Sequence, residues 1–126
     1  MFIEIDMDSE VPIYIQLMNG LIEAIANGTL QTGNTLPSVR ALASDLGINM
    51  HTVNKTYREL EKKGLVQIIP KSGTIVQQRT VDEAKLQQFT HLIRPMMAEL
   101  LANGLTEEQV HQLSSDIMIS IKEGDQ

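Results

Sequence analysis

Residues 36–76 leave this chain few ways to fold. They read Leu36-Pro37-Ser38-Val39-Arg40, then Ala41-Leu42-Ala43, Leu46-Gly47-Ile48, Thr52-Val53, Tyr57-Arg58-Glu59-Leu60-Glu61 and Gly64-Leu65-Val66. Ser38 is placed to cap a short helix bearing Val39, Leu42, Ala43 and Leu46. Gly47 supplies a tight turn, and Asn49 can cap a second helix that runs to about Lys63 and stops at Gly64, a residue free to turn left-handed. Two β-rich runs follow, residues 65–69 and 74–77, around the turn-forming Pro70-Lys71-Ser72-Gly73. The pattern is a helix-turn-helix followed by a hairpin wing.

The second of these helices has two unlike faces. His51, Asn54, Lys55 and Arg58 recur at i, i+3, i+4 and i+7 and form a polar, basic stripe. Val53, Tyr57 and Leu60 lie opposite. Such a helix can be anchored to a small core by one side while its other side enters a DNA groove.

A formal net charge of -6 argues against a polyanion as partner until the charge is followed along the chain. Residues 1–35 hold five acidic and no basic side chains, net -5. Residues 36–79 reverse the sign, with Arg40, Lys55, Arg58, Lys62, Lys63, Lys71 and Arg79 against Asp45, Glu59 and Glu61, net +4. Residues 80–126 return to net -5, three basic against eight acidic. The positive block coincides with the helix-turn-helix and wing, the footprint that phosphate binding requires. The acidic flanks should hold nonspecific DNA binding in check.

On the N-terminal side, Pro12 opens a stretch with Ile15, Met18, Leu21, Ile22 and Ile25 at helical spacing, closed by Gly28. A polar turn, Gln31-Thr32-Gly33-Asn34, leads into the helix-turn-helix, and the three helices are expected to share one core. On the C-terminal side, Thr80-Val81-Asp82-Glu83 has the pattern of a capping box, followed by Leu86, Phe89, Leu92, Ile93, Met96, Met97, Leu100 and Leu101. Pro95 falls inside that helix and predicts a kink near residues 91–94. Thr106-Glu107-Glu108-Gln109 is a second capping box, and Val110, Leu113, Ile117 and Ile121 make an apolar stripe. Two helices cannot enclose a core of their own, so they must pack on the head or on another chain.

The expected fold is therefore mainly α with a small β-hairpin wing: a winged helix-turn-helix head over residues 1–78 and a two-helix dimerisation tail over residues 79–126. Leu92, Met96, Leu100, Leu113, Ile117 and Ile121 are the expected dimer seam. The same spacing also fits a core, and Met96 and Met97 with Leu100 and Leu101 could line a ligand pocket.

Other classes fit poorly. The chain has no cysteine, hence no disulfide or thiolate site, which suits a reducing cytoplasm. Its start lacks a secretory signal, and no stretch approaches the roughly 20 apolar residues of a membrane span, so a cytoplasmic protein without membrane contact is expected. His51, His91 and His111 are too dispersed for a metal site. Ser38 has no activating pattern, and neither a phosphate-cradling loop nor paired catalytic carboxylates is present, so neither enzymatic activity nor a cofactor is expected.

Taken jointly, Pro12-Ile13-Tyr14-Ile15-Gln16, Gly28-Thr29-Leu30, Gly33, Leu36-Pro37-Ser38-Val39-Arg40, Thr52-Val53-Asn54-Lys55, Tyr57-Arg58-Glu59-Leu60-Glu61 and Gly73-Thr74 are specific. With them the chain resembles, over nearly its whole length, the GntR family of bacterial transcription regulators, in its short YtrA-type branch. The resemblance implies a winged-helix head, a dimerising tail and repression of an operon that often encodes an ABC transporter. It places DNA contacts at Ser38 and Arg40, at Met50, His51, Thr52, Asn54 and Lys55, and at Lys71, Ser72 and Gly73 of the wing, beside the basic Arg58 of the stripe. Larger relatives often carry arginine where Met50 and Asn54 stand, short ones often proline in place of Met50, and the wing commonly has glycine in place of Lys71. The operator is thus not set by the resemblance.

The leading expectation is a homodimer on a palindromic double-stranded operator. The alternative is a winged-helix module that binds a protein and no DNA. For Arg40, a base-edge or phosphate contact competes with a surface ion pair; for His51 and Asn54, DNA contact competes with solvent exposure or local capping. Lys62 and Lys63 either meet phosphate or only complement the helix dipole. Regulation by a small-molecule effector at the dimer seam and regulation by abundance alone both remain open.

Overall fold

Buried leucines at helical spacing bring the first three helices together. The computed structural model describes residues 3–124. Helix α1 (Ile13–Ala26) contributes Leu17, Leu21, Ala24 and Ile25; α2 (Val39–Leu46) contributes Leu42 and Ala43; α3 (Met50–Lys62) contributes Val53, Tyr57 and Leu60. These join Ile3, Leu30, Leu36, Val66 and Val76 in one core. Removing such side chains from water supplies roughly 1.5–3 kcal/mol each and fixes the angle at which α3 is held.

The caps fall where the short polar residues stand. Ser38 Oγ accepts from the Ala41 amide at 3.1 Å, and Asn49 Oδ1 accepts from the His51 amide at 2.7 Å. Between the two helices Gly47 takes φ +67°, and the Ile48 amide reaches back to the Ala43 carbonyl at 3.0 Å. Three residues, 47–49, connect the helices, and Gly47 makes the left-handed step, where a side chain would be strained.

The wing is an antiparallel hairpin of β1 (Val66–Ile69) and β2 (Gly73–Val76), paired Val66 with Val76 through Ile69 with Gly73. Against the expected runs, β1 starts one residue later and β2 is displaced by one residue toward the N-terminus at both ends. Leu65 and Gln77 fall outside the strands, although the Gln77 amide still donates to the Leu65 carbonyl at 3.1 Å. The polar turn at residues 31–34 does more than turn. Gly33 N–H donates to Val76 O, Val76 N–H to Asn34 O and Leu36 N–H to Thr74 O, at 2.7, 2.9 and 2.8 Å, with a bridge between Thr35 and Ile75. This segment covers the free edge of β2, so the backbone groups of a two-stranded ribbon are not left open. Its lack of apolar alternation hid the pairing.

The N-terminal segment is clipped to α1 by one side chain. Gln16 Oε1 accepts from the Asp6 amide at 2.8 Å, while its Nε2 donates to the Asp6 and Val11 carbonyls at 3.0 and 2.8 Å. Pro12 precedes α1 and does not lie in its first turn.

The chain divides into two compact units, residues 1–79 and 80–126, a boundary one residue beyond the expected one. The second unit holds α4 (Glu83–Ala102) and α5 (Glu107–Glu123). Here α4 corrects one expectation. Its cap is Asp82, whose Oδ1 accepts from the Lys85 amide at 2.8 Å, and not Thr80. A carboxylate next to the helix start also favours the positive end of the helix dipole. The helix also runs through Pro95 without interruption. Proline removes the hydrogen bond to the carbonyl of His91, and His91 is exposed, so water can take that place. The α5 capping box forms as expected: Thr106 Oγ1 accepts from Gln109 N at 3.1 Å, and Gln109 Oε1 from Thr106 N at 2.8 Å.

Candidate nucleic-acid interface

The outward face of α3 is set by what its inner face buries. Val53, Thr56, Tyr57 and Leu60 are buried, which turns His51, Lys55 and Arg58 to solvent and leaves Asn54 half-buried beside them. Thr56 is the inward residue that the apolar pattern misses. Its hydroxyl donates to the Thr52 carbonyl at 2.9 Å, and the Tyr14 carbonyl lies 3.4 Å away, so this polar side chain enters the core with its bonding satisfied. Met50 opens the helix and is 45% exposed, while Thr52 is half-buried.

Two tethers hold the other parts of the candidate interface to α3. Tyr57, 1% exposed, donates its hydroxyl to the Pro37 carbonyl at 2.6 Å. That bond ties the residues just before Ser38 and Arg40 to the recognition helix. Burial also pushes the Tyr57 phenol well above its ordinary range, so the donor is retained. At the far end of α3, Glu61 Oε2 accepts from the Ile68 amide at 2.8 Å and fixes the wing. The sequence presents Tyr57 as a core residue and Glu61 as one charge among several. No periodicity marks either as a tether.

At the wing tip the Ser72 amide donates to the Ile69 carbonyl at 3.0 Å, closing a turn over Pro70 and Lys71. Lys71 has φ +68°, the single non-glycine residue with positive φ among the described residues. Proline followed by positive φ is the pattern of a type II turn, in which glycine is the favoured third residue. Gly73 next to it has φ +107°, and a Cβ there would come 3.3 Å from Thr35 Cγ2. Lys71, Ser72 and Gly73 are all exposed.

The charges on this surface are unequal in a useful way. Among the described residues, Arg40, Lys55, Arg58 and Lys71 have no carboxylate partner, and the ion pair expected as the alternative for Arg40 is not formed. Lys62, by contrast, pairs with Glu59 at 3.3 Å and sits in the last turn of the helix. Lys55 instead lies over the Tyr14 ring, 3.9 Å from its centroid. Ser38 spends an acceptor site on its cap, which leaves the hydroxyl proton for an external acceptor.

His51 lies on α3, His91 on α4 and His111 on α5. No group of metal-ligating side chains forms among the described residues, and no described helix is long and apolar enough to cross a membrane.

The expected seam residues of the tail are at the surface. Leu92, Met96, Leu113 and Ile117 are exposed, Leu92 by 73%, while Leu100 and Ile121 are half-buried. Leu86, Phe89, Ile93, Leu101, Met118 and Ile119 are exposed as well, and Val110 is the buried residue of α5.

Comparison with known proteins agrees with this arrangement. The family model for bacterial regulatory proteins of the gntR family matches residues 13–76, from α1 through the wing. The HTH-type transcriptional repressor YtrA of Bacillus subtilis is 30% identical over 125 residues, 97% of this chain and 96% of its own length. A transcriptional antiterminator from Listeria monocytogenes superposes with TM-score 0.87 at 29% identity, over 100% of this chain and 96% of that one. YtrA from Sulfolobus acidocaldarius, a GntR-family transcription factor, gives TM-score 0.61 at 34% identity, over 94% and 97% of the two chains. The N-terminal domain of AraR in complex with mutant ORR3 gives TM-score 0.52 at 25% identity, over 55% of this chain and 99% of that one. With its winged helix-turn-helix, its outward cations and these matches, the chain belongs to the GntR family and is a DNA-binding transcriptional regulator.

Proposed function

We propose that the protein is a cytoplasmic homodimeric repressor that reads a palindromic operator. Each α3 enters a major groove, with Met50, His51, Thr52, Asn54 and Lys55 toward base edges and phosphates, and Arg58 on the adjoining backbone. Ser38 and Arg40 hold the strand beside it, and Lys71, Ser72 and Gly73 of the wing approach the next phosphates. The observation that carries this reading is the set of four cations, Arg40, Lys55, Arg58 and Lys71, left without carboxylates on the head of an acidic chain. Exposed cations that no carboxylate neutralises leave this face positive, and a DNA backbone supplies anions at regular spacing. A module built only to bind a protein would have no need for that sign reversal.

Dimerisation is supported by the tail. Two helices that leave leucine, isoleucine, phenylalanine and methionine side chains in water present an apolar patch of the kind that marks an association site. A two-fold dimer would set its recognition helices on half-sites about one helical turn apart. Repression is supported by the likeness to the repressor YtrA, and an ABC transporter operon as target is what the family resemblance implies.

Selection of duplexes from a random library by the full chain, followed by mobility shifts with variants, tests the site. Arg40→Ala should weaken binding about tenfold, the size of one lost charge-assisted contact. His51→Ala and Asn54→Ala should chiefly broaden the selected sequence. Equal affinity and unchanged selectivity in all three would exclude this face as the reader.

A further inference from the structure

Lys55 is held in an unusual way for a surface lysine. Its ammonium stands 3.9 Å from the centroid of the Tyr14 ring, with no hydrogen-bonding or carboxylate partner among the described residues. The ring belongs to the first turn of α1 and is half-buried. Tyr14 is one turn before Leu17, which is 0% exposed, and the adjoining Thr56 of α3 is 0% exposed with its hydroxyl 3.4 Å from the Tyr14 carbonyl. The backbone of Tyr14 is therefore anchored beside α3, and its half-buried side chain is carried to the edge of that helix where Lys55 stands.

We propose that Tyr14 is a positioning residue for DNA binding: its ring holds the Lys55 ammonium in place at the edge of the recognition helix, ready for a DNA phosphate. The inference rests on the reading of Lys55 as a DNA contact. A carboxylate could also immobilise a lysine, but it would cancel the charge that a phosphate needs. An aromatic face attracts the cation through its quadrupole and carries no net charge, so the ammonium keeps its charge and its three N–H donors. Lysine has one of the largest side-chain entropies to lose on binding, and a side chain ordered beforehand loses less of it.

The test uses the full-length chain and the duplex that the wild type enriches from a random library, with affinity followed by fluorescence anisotropy. Lys55→Gln should bind about tenfold more weakly and lower the salt slope by about 0.9 per protomer. Tyr14→Leu should bind about fivefold more weakly in the wild-type background yet change affinity less than about twofold in the Lys55→Gln background, because distant or unlinked effects would simply add. Tyr14→Phe should match the wild type, since the ring face is retained. Should Tyr14→Leu lose its fold, phenylalanine analogues with increasing fluorine at position 14 serve instead. They keep the ring's shape while draining its face of electron density, and affinity should fall stepwise with fluorination. An equal loss from Tyr14→Leu in both backgrounds, or a flat fluorine series, would reduce Tyr14 to a packing residue and overturn the inference while leaving the DNA-binding reading in place. Unchanged affinity of Lys55→Gln would overturn it through Lys55. Failure of the wild type to enrich any duplex would remove both readings together.

Discussion

Replacing Tyr57 by phenylalanine isolates the tether between the recognition helix and the turn that carries Ser38 and Arg40. The ring is 1% exposed and stays packed in the variant, so the change removes the 2.6 Å hydrogen bond to the Pro37 carbonyl and little else. A buried bond of that kind contributes about 1–2 kcal/mol, counting the carbonyl left partly unsatisfied. Urea denaturation followed by circular dichroism at pH 7 should show that deficit. The pH dependence gives a second, sharper expectation. Burial raises the Tyr57 phenol above its ordinary 10.0, so the folded state favours the protonated form. That contribution is fully present below pH 10 and is lost as the pH rises toward the folded value, because the unfolded chain then gives up a proton that the native state keeps. The wild type loses about 1.4 kcal/mol by about pH 11 through this group, a loss that Tyr57→Phe cannot suffer. The two proteins should therefore differ in stability at pH 7 and nearly coincide at about pH 11, while the lysine titrations common to both cancel in the comparison. A variant as stable as the wild type at pH 7, or a gap that stays constant to about pH 11, would refute the reasoning.

Lys71→Gly should stabilise the head by about 0.5–1 kcal/mol by relieving positive φ, yet lower the salt slope of DNA binding by about 0.9 per protomer. Lys71→Ala should share the loss of binding without the gain in stability, and equal stabilities for all three chains would contradict the strain reading. Leu113→Asp or Ile117→Asp should convert the dimer to monomers in analytical ultracentrifugation, because a carboxylate in an apolar seam is not solvated. A dimer undisturbed by either would move the interface elsewhere. Asn49→Ala should cost about 1 kcal/mol in thermal unfolding by leaving the His51 amide uncapped, and no loss would show that cap to be idle.

The head was legible in the sequence because its signals are local. Caps at Ser38 and Asn49, the turn at Gly47 and the apolar period of α3 each lie within a few residues of what they determine. The edge pairing of residues 33–36 with β2 escaped because backbone hydrogen bonds between distant segments leave no mark in side-chain period. Tyr57 was readable as buried, but its hydroxyl partner lies twenty residues back, and only the packed core brings Pro37 to it. Thr56 looked polar and is buried because a bond within its own helix satisfies it. In the tail, periodicity located both helices but misplaced the start of α4, since Thr80 and Asp82 both suit a cap and a weak preference separates them. The basic island was visible in composition. What composition could not show is that Arg40, Lys55, Arg58 and Lys71 keep their charge uncompensated while Lys62 does not, because pairing depends on which side chains meet.

That uncompensated charge is the centre of the account, and the salt dependence of binding measures it directly. If Arg40, Lys55, Arg58 and Lys71 each meet a phosphate in both protomers, log K for the selected duplex should fall with log salt at a slope of about -7. The stoichiometry should be two chains per duplex. A slope near -1, or one chain per duplex with unchanged affinity, would contradict the claim that this face reads DNA as a charged, two-fold surface.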